Sequence, residues 1–207
     1  MTLTDWLSLT TICILGAMSP GPSLVVILKN TLAGGRSAGI KTALGHGFGV
    51  GVYAYATATG LVAVLARSPV AFVVIQWLGA FFLAYLGFKA FLGGGAIAKA
   101  TSIEKKAAYN GNGFKAGFLI AFLNPKLAVF FGALFSQFVS AQAPLGVKII
   151  MSLTAASIDT CWYLVVVVVL SNAKFIHILS DFARPLDKIL GLFLILLAVR
   201  LFILNCF

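Results

Sequence analysis

Charged residues are scarce in this chain of 207 residues, and acidic residues are the scarcest. Only 10% of the positions are charged, and five Asp and Glu stand against 15 Lys and Arg, whereas an average soluble domain is about 25% charged. The mean hydropathy is +1.06, and a soluble protein of this size cannot bury so much apolar surface. The composition excludes a water-soluble enzyme, a disordered protein and a nucleic-acid-binding protein. The net charge of +10 is instead expected on cytoplasmic loops that face anionic lipid.

Cysteine is also scarce, and the three that are present are widely separated within apolar runs: Cys13, Cys161 and Cys206. This pattern favours small apolar side chains inside helices over a disulfide framework. The sequence contains no G-x-x-x-x-G-K-[ST] loop for ATP and no cluster of acids for Mg²⁺. We therefore expect no cofactor and no metal, and a function other than that of an enzyme.

Six windows of the sequence are long and apolar enough to cross a bilayer, which takes about 20 residues. The sequence predicts an all-α integral membrane protein with six transmembrane helices. The first window carries Asp5 and no basic residue before its apolar stretch, unlike a secretory signal. The windows are Leu3–Leu28, Thr42–Ala66, Val70–Leu92, Ala116–Val139, Val147–Leu170 and Lys188–Cys206.

The basic residues are unevenly divided among the connecting loops. Loops two and four contain only Arg67 and Lys148. The positive-inside rule therefore predicts that loops one, three and five face the cytoplasm and that both termini face outward. The basic residues of these three loops are Lys29, Arg36, Lys41, Lys99, Lys105, Lys106, Lys115, Lys174 and Arg184.

Proline interrupts the chain at similar depths in its two halves. Ser19-Pro20-Gly21-Pro22 breaks the first window and Asn124-Pro125-Lys126 breaks the fourth. Three helices in each half force the halves into opposite orientations, so the pattern predicts an inverted repeat, a common plan for secondary transporters. We expect one transport domain over 1–207, with repeats at 1–92 and 116–207 and a flexible cytoplasmic linker at 93–115.

The broken helices are the candidate substrate site. A proline inside a helix removes a backbone hydrogen bond, and an unsatisfied carbonyl in lipid costs several kcal/mol. Such a break persists only where protein, water or a ligand satisfies it, although an ordinary kink is the alternative interpretation. A free helix N-terminus suits a carboxylate and free carbonyls suit an ammonium group, so the pair of breaks favours a zwitterionic amino acid.

Two charged residues are predicted to lie near the middle of the membrane, where a charge costs at least about 2.5–3.5 kcal/mol. Lys126 lies in the fourth window and Asp159 in the fifth, and Asp159 is the only acid deep in a predicted span. Asp159 is the candidate for binding the substrate amine or the coupling proton. A static Lys126–Asp159 ion pair is the alternative, and the two are compatible.

The second window combines a histidine with closely spaced glycines. We expect His46 to be hydrogen-bonded near the cytoplasmic end of this span, and a proton relay is the alternative. Two overlapping G-x-x-x-G pairs predict close helix packing. Their members are Gly45, Gly47, Gly49 and Gly51.

Together these motifs resemble the lysine exporter and homoserine/threonine exporter (LysE/RhtB) family over most of the chain. The family's third pattern often has Trp where this chain has Phe88. The matching motifs are Ser19-Pro20-Gly21-Pro22; Gly35-Arg36-Ser37-Ala38-Gly39 with Gly45 and Gly49; Leu78-Gly79-Ala80 with Tyr85-Leu86-Gly87-Phe88-Lys89; Gly117-Phe118 with Asn124-Pro125-Lys126 and Phe130-Phe131; and Asp159 with Trp162-Tyr163.

The resemblance implies efflux of amino acids or close derivatives across the bacterial inner membrane, driven by an ion gradient. Proton antiport is the simplest scheme, and a homo-oligomer is left open. The alternatives are a membrane thiol–disulfide electron carrier, which the cysteine-free fourth window disfavours, and a permease for another small solute or a metal ion. The predicted substrate-binding residues are Ser19, Pro20, Gly21, Pro22, Asn124, Pro125, Lys126 and Asp159, with Asp159 also coupling the proton.

Overall fold

The computed structural model describes residues 1–19, 21–92, 111–170, 185, 188–189, 191–200 and 202–203. The regular structure in these ranges is α-helical throughout, which confirms the all-α prediction for the described part of the chain. The helices are α1 Leu3–Met18, α2 Pro22–Arg67, α3 Pro69–Phe91, α4 Gly113–Phe122, α5 Pro125–Phe135, α6 Leu145–Leu170 and α7 Gly191–Arg200.

Three of the helices begin with proline at their first position. Pro22, Pro69 and Pro125 start α2, α3 and α5. Proline is favoured there because the first N–H of a helix has no intrahelical partner to lose. The predicted proline breaks are therefore new helix starts, not kinks within continuous helices.

A predicted loop is replaced by a helical hairpin that bends at a glycine. Gly35, inside α2, has φ 75° and ψ −178°, a conformation that is essentially restricted to glycine. The chain doubles back at this point, so that Asn30 and Thr42 meet: the Asn30 side-chain amide donates to Thr42 Oγ1 at 3.0 Å. The prediction of a loop between Leu28 and Thr42 was thus wrong: helix extends to both sides of Gly35, because the reversal needs one flexible residue rather than a longer connection.

Alternate glycines let α2 pack closely against two helices at once. A Cβ atom on Gly45 would collide with the backbone of Phe114 in α4, and one on Gly47 would collide with Thr160 in α6. A Cβ on Gly49 would lie 2.9 Å from Ala121 Cβ in α4. The predicted packing role of these glycines is confirmed, and it fixes α2 between α4 and α6.

The contacts also give the relative directions of the helices. From Gly45 to Gly49, α2 follows α4 from Phe114 to Ala121, so these two segments run parallel. From Gly47 to Gly51, α2 follows α6 backwards from Thr160 to Ala156, so these two run antiparallel. These are the directions expected for the second, fourth and fifth crossings of a chain that traverses a membrane back and forth.

Three of the described helices are long and apolar enough to cross a membrane. They are Pro22–Arg67, Pro69–Phe91 and Leu145–Val169. A fourth candidate is the pair α4 and α5, which is bent by 56° at its break. The protein is therefore a multi-pass membrane protein.

Several features of the predicted topology stay predictions. The sixth window is described only in part, with α7 at its centre, so the six-span inverted repeat is not established. Most of the predicted linker, 93–110, lies outside the described residues, while Gly113–Lys115 already belongs to α4. The side of the membrane that each loop faces is likewise a prediction.

Candidate functional site

The two proline-containing breaks meet each other in the folded chain. The ammonium group of Lys126 donates to the backbone carbonyl and to the hydroxyl of Ser19, both at 2.9 Å. The side-chain amide of Asn124 donates to Ser23 Oγ at 3.2 Å. The end of α1, the start of α2 and the start of α5 are thus joined through side chains that come from opposite halves of the sequence.

Local capping explains why these side chains are held in place. Ser19 ends α1 with its N–H donating to Leu15 and Gly16, which leaves its own carbonyl for Lys126. Asn124 caps α5 by accepting the Lys126 N–H at 3.0 Å, a favoured role for asparagine. A cation at the C-terminus of α1 is stabilised by the helix dipole, so Lys126 is well placed at this end.

A second polar pair lies next to these breaks. His46 Nδ1 is 2.6 Å from Asp159 Oδ2, and the two residues are 1% and 6% exposed. The ring of Tyr163 meets the imidazole edge-on, with 4.9 Å between centroids. The expectation that His46 is hydrogen-bonded is confirmed, and its partner Asp159 lies near the middle of α6. Close packing of its flanking glycines carries the histidine into the core.

This pair also bears on the alternative of a Lys126–Asp159 ion pair. Within the described residues, the close charged or titratable partner of the Asp159 carboxylate is the imidazole of His46. Lys126 donates to Ser19. Both Lys126 and Asp159 line the same cavity, so they face a common space.

The cavity between the breaks is small and is lined by both polar and apolar groups. Its volume of about 30 Å³ is enough for water but not for an amino acid, so a substrate requires the lining helices to separate. The apolar lining residues are Val50, Leu127, Phe130, Phe131 and Ala155. The polar or small lining residues are Cys13, Gly16, Ala17, Ser19, Gly21, Ser23, His46, Asn124, Lys126, Asp159 and Tyr163.

Most of the residues singled out from the sequence are brought together here. Five of them line the cavity: Ser19, Gly21, Asn124, Lys126 and Asp159. Pro22 and Pro125 begin the adjoining helices and shape the breaks from behind. Pro20 lies outside the described residues.

Several members of the site were not predicted from the sequence. Ser23, Tyr163 and Cys13 were not assigned to it, and His46 was placed at the membrane interface. The glycines beside His46 could have indicated that this side chain is buried. Glycines let a helix approach its neighbours closely, and a side chain between such glycines then lies in the contact between the helices. Ser23 follows Pro22 directly, and a polar residue in the first turn after a break could have been included on that ground.

The described part of the chain offers no group of three or more His, Cys, Asp or Glu side chains that could hold a metal ion. Two cysteines are described as free thiols, Cys13 buried and Cys161 exposed. Cys206 lies outside the described residues. What the cavity offers is a cation, a carboxylate–imidazole pair, hydroxyl groups and an uncapped helix N-terminus at Gly21.

Sequence comparison assigns this arrangement to a family. A family model described as LysE type translocator matches residues 14–205, which is nearly the whole chain and includes both breaks. The chain belongs to the LysE type translocators. The resemblance of its motifs is thereby confirmed, and this translocator is a membrane transporter and not an enzyme.

Curated relatives match this translocator over most of their own length. Leucine efflux proteins of Salmonella choleraesuis (strain SC-B67) and Salmonella typhi are each 29% identical over 186 residues, covering 88% of this chain and 87% of theirs. The uncharacterized membrane protein YrhP of Bacillus subtilis (strain 168) is 29% identical over 185 residues, covering 85% and 88%. No solved structure matches the translocator significantly.

Proposed function

We propose that this translocator exports amino acids with apolar side chains across the bacterial inner membrane, in exchange for protons. One observation carries the proposal: the two helix breaks are joined by Lys126 and Asn124 beside a cavity that is also lined by the buried carboxylate of Asp159. A zwitterion needs a cationic and an anionic partner at short range, and this cavity offers both.

The carboxylate of the substrate is proposed to bind at the start of α2. This helix begins at Gly21 without a side-chain cap, so its first N–H groups and the positive end of its dipole are open to an anion. Lys126 adds a charge-assisted donor on the facing wall. Gly21 lies close to it, since a Cβ added there would be 3.6 Å from Lys126 Nζ.

The ammonium group is proposed to bind towards Asp159. The carboxylate of Asp159 is buried and its Oδ2 lies 2.6 Å from His46 Nδ1, and a carboxylate has further lone pairs for a second donor. The opposite ends of the substrate then bind to different helices. This requires a defined distance between ammonium and carboxylate, such as the one that α-amino acids have in common.

The side chain of the substrate is proposed to lie against apolar lining residues of the cavity. Leu127, Phe130 and Val50 are three of these residues, and an apolar surface favours a substrate of the same character. Two of the relatives are leucine efflux proteins. Leucine is therefore the first substrate to test.

Transport is proposed to proceed by separation of the two breaks. The bonds from Lys126 to Ser19 join the end of α1 to the start of α5, and a substrate carboxylate would compete for the same ammonium group. Loss of these bonds frees the end of α1 to move relative to α5. Proton uptake at Asp159 or a neighbouring group would then return the empty carrier, with one proton entering for each amino acid exported.

Uptake into inside-out membrane vesicles tests this proposal. The vesicles are given an acidic lumen and offered labelled leucine, alanine or lysine. We expect leucine to accumulate, and accumulation to collapse when a protonophore is added. Accumulation that persists with the protonophore would contradict proton coupling, and failure to move any of the three amino acids would contradict the substrate class.

A matched pair of acid-to-amide variants completes this test. Asp159→Asn should abolish accumulation, because the buried carboxylate is lost while its shape is retained. Asp5→Asn is the control, since Asp5 lies in the first turn of α1, away from the cavity. Full coupled transport by Asp159→Asn would refute the role of this carboxylate.

A further inference from the structure

His46 has one ring nitrogen that the described structure leaves without a partner. The residue is 1% exposed and lines the cavity. Its Nδ1 is bound to Asp159, while no hydrogen-bond partner of Nε2 is found among the described residues. Buried polar atoms are paired in about 90% or more of cases, so this nitrogen calls for a ligand that comes and goes.

The partner of Nδ1 determines what Nε2 can bind. An ionised carboxylate only accepts hydrogen bonds, so at 2.6 Å from Asp159 Oδ2 the hydrogen must lie on Nδ1. In the neutral ring Nε2 then carries the lone pair. It is an acceptor for an N–H group and the position at which the imidazole takes up a proton.

We infer that Nε2 of His46 carries the coupling proton, and that this proton and the ammonium group of the substrate exclude each other there. The inference rests on the proposed function and makes it specific. Asp159 is then the positioning residue that fixes the tautomer and orientation of the ring. A proton arriving from outside forms the Nε2–H bond, and its departure to the cytoplasm restores the lone pair.

The charge balance of the pair accounts for the exclusion. With a neutral ring, His46 and Asp159 together carry one negative charge, which attracts an ammonium group. With a protonated ring the pair is neutral. The Nε2–H group is then a hydrogen-bond donor and cannot accept a hydrogen bond from the substrate ammonium group. Binding of substrate therefore requires loss of the proton, which is the condition for antiport.

The groups around the ring fit this assignment. Besides Asp159 and Tyr163 from α6, the titratable side chains lining the cavity are Cys13 from α1 and Lys126 from α5. The described titratable side chain of α4 is Lys115, which is exposed at the start of that helix. At Gly47, α2 packs closely against Thr160 of α6. This close packing keeps the His46 ring next to Asp159, which orients it.

Nuclear magnetic resonance of the histidine ring tests the inference directly. The chain contains two histidines, so His177→Gln leaves His46 as the only signal after labelling with ¹⁵N-histidine. In detergent, the ¹⁵N chemical shift of Nε2 distinguishes its protonated form from its lone-pair form. Saturating leucine should displace the proton and return Nε2 to the lone-pair form. A ring whose protonation is the same with and without leucine would overturn the assignment.

Transport by two amide variants supplies an independent test. The side-chain amide of His46→Asn imitates Nδ1, and that of His46→Gln imitates Nε2, but neither can be protonated. In liposomes, we expect any leucine exchange by His46→Gln to proceed at the same rate at every pH. A pH gradient should no longer drive the accumulation of leucine by this variant. His46→Asn should likewise fail to accumulate leucine under a pH gradient. Accumulation of leucine by either variant under a pH gradient would overturn the inference.

Failure of the inference and failure of the proposed function give different results. If the wild-type protein concentrates leucine under a pH gradient and the His46 variants do so too, only the role of His46 is wrong. If the wild-type protein moves no amino acid, the proposed function itself is wrong, and the role of His46 falls with it.

Discussion

At the scale of single residues, the site depends on side chains that bind backbone atoms exposed by the breaks. Ser19 has a carbonyl that points away from its own helix, and Lys126 satisfies it from another helix. In lipid such a carbonyl would be costly without a partner. The same bond therefore stabilises the break and places a cation in the cavity.

Replacement of Lys126 tests whether leucine binding depends on this lysine in particular or on positive charge anywhere in the protein. A hydrogen bond to a charged group contributes about 1.5–3 kcal/mol, so Lys126→Met should weaken leucine binding by at least about tenfold. Lys115→Met is the matched control, because Lys115 is exposed in the first turn of α4. Binding to purified protein in detergent measures both, and equal affinities for the two variants would contradict the assignment.

At the scale of the helices, two asparagines in the second half of the chain both cap a helix but differ in their further contacts. Asn112 caps α4 by accepting the Lys115 N–H. Asn124 caps α5 in the same way and also donates to Ser23 across the site. Only the second cap connects two breaks.

Alanine variants of the two caps should therefore differ in transport rather than in stability. Each loses about 1 kcal/mol of helix capping, which a thermal unfolding curve in detergent measures. Asn124→Ala should in addition impair leucine transport, whereas Asn112→Ala should not. Asn124→Asp, which retains the cap and loses the donor, should behave as the alanine variant does in transport. Normal transport by Asn124→Asp would show that the bond to Ser23 is dispensable.

The glycines of α2 make a second prediction at this scale. Gly47→Ala places a methyl group against Thr160, and overpacking of this kind costs about 1–3 kcal/mol. Gly60→Ala, in the same helix, has nothing within 4 Å of the added atom and should gain about 0.5–1 kcal/mol from reduced backbone freedom. Opposite shifts in the unfolding temperature are expected. A similar effect from both variants would mean that close packing at Gly47 is unimportant.

At the scale of the whole molecule, the bend at Gly35 and the start of α6 are predicted to lie on opposite sides of the membrane. Gly39 contacts Val167 near the far end of α6. From Lys148 to Val167 the helix rises about 28 Å at 1.5 Å per residue, close to the thickness of the hydrocarbon core of about 30 Å. The charge pattern assigns the Gly35 side to the cytoplasm.

Thiol labelling in intact cells tests this orientation. In a chain without its three natural cysteines, Gln142→Cys should react with a membrane-impermeant maleimide, and Arg36→Cys should react only after the cells are opened. Both positions are exposed. The reverse pattern would invert the orientation. The cysteine-free parent also serves as a control, because transport by it excludes a thiol–disulfide carrier.

The fold was predictable where composition and helix starts decide it. The windows Val70–Leu92 and Val147–Leu170 differ from α3 and α6 by one or two residues, because apolar runs of that length have few other options in a membrane. The hairpin at Gly35 was missed, since a single glycine with an unusual backbone conformation leaves no gap in an otherwise helical sequence. Lys126 and Asp159 were identified by the cost of charge in lipid, but their partners were not.

The sequence by itself determined that the chain is a helical membrane protein with two proline-containing breaks, because hydropathy and helix termination are local properties. Only the tertiary structure decided which groups satisfy those breaks. Pairing of Lys126 with Ser19, and of Asp159 with His46, depends on how closely glycine-lined helices approach one another. That approach is set by packing between segments far apart in the chain, which no local pattern encodes.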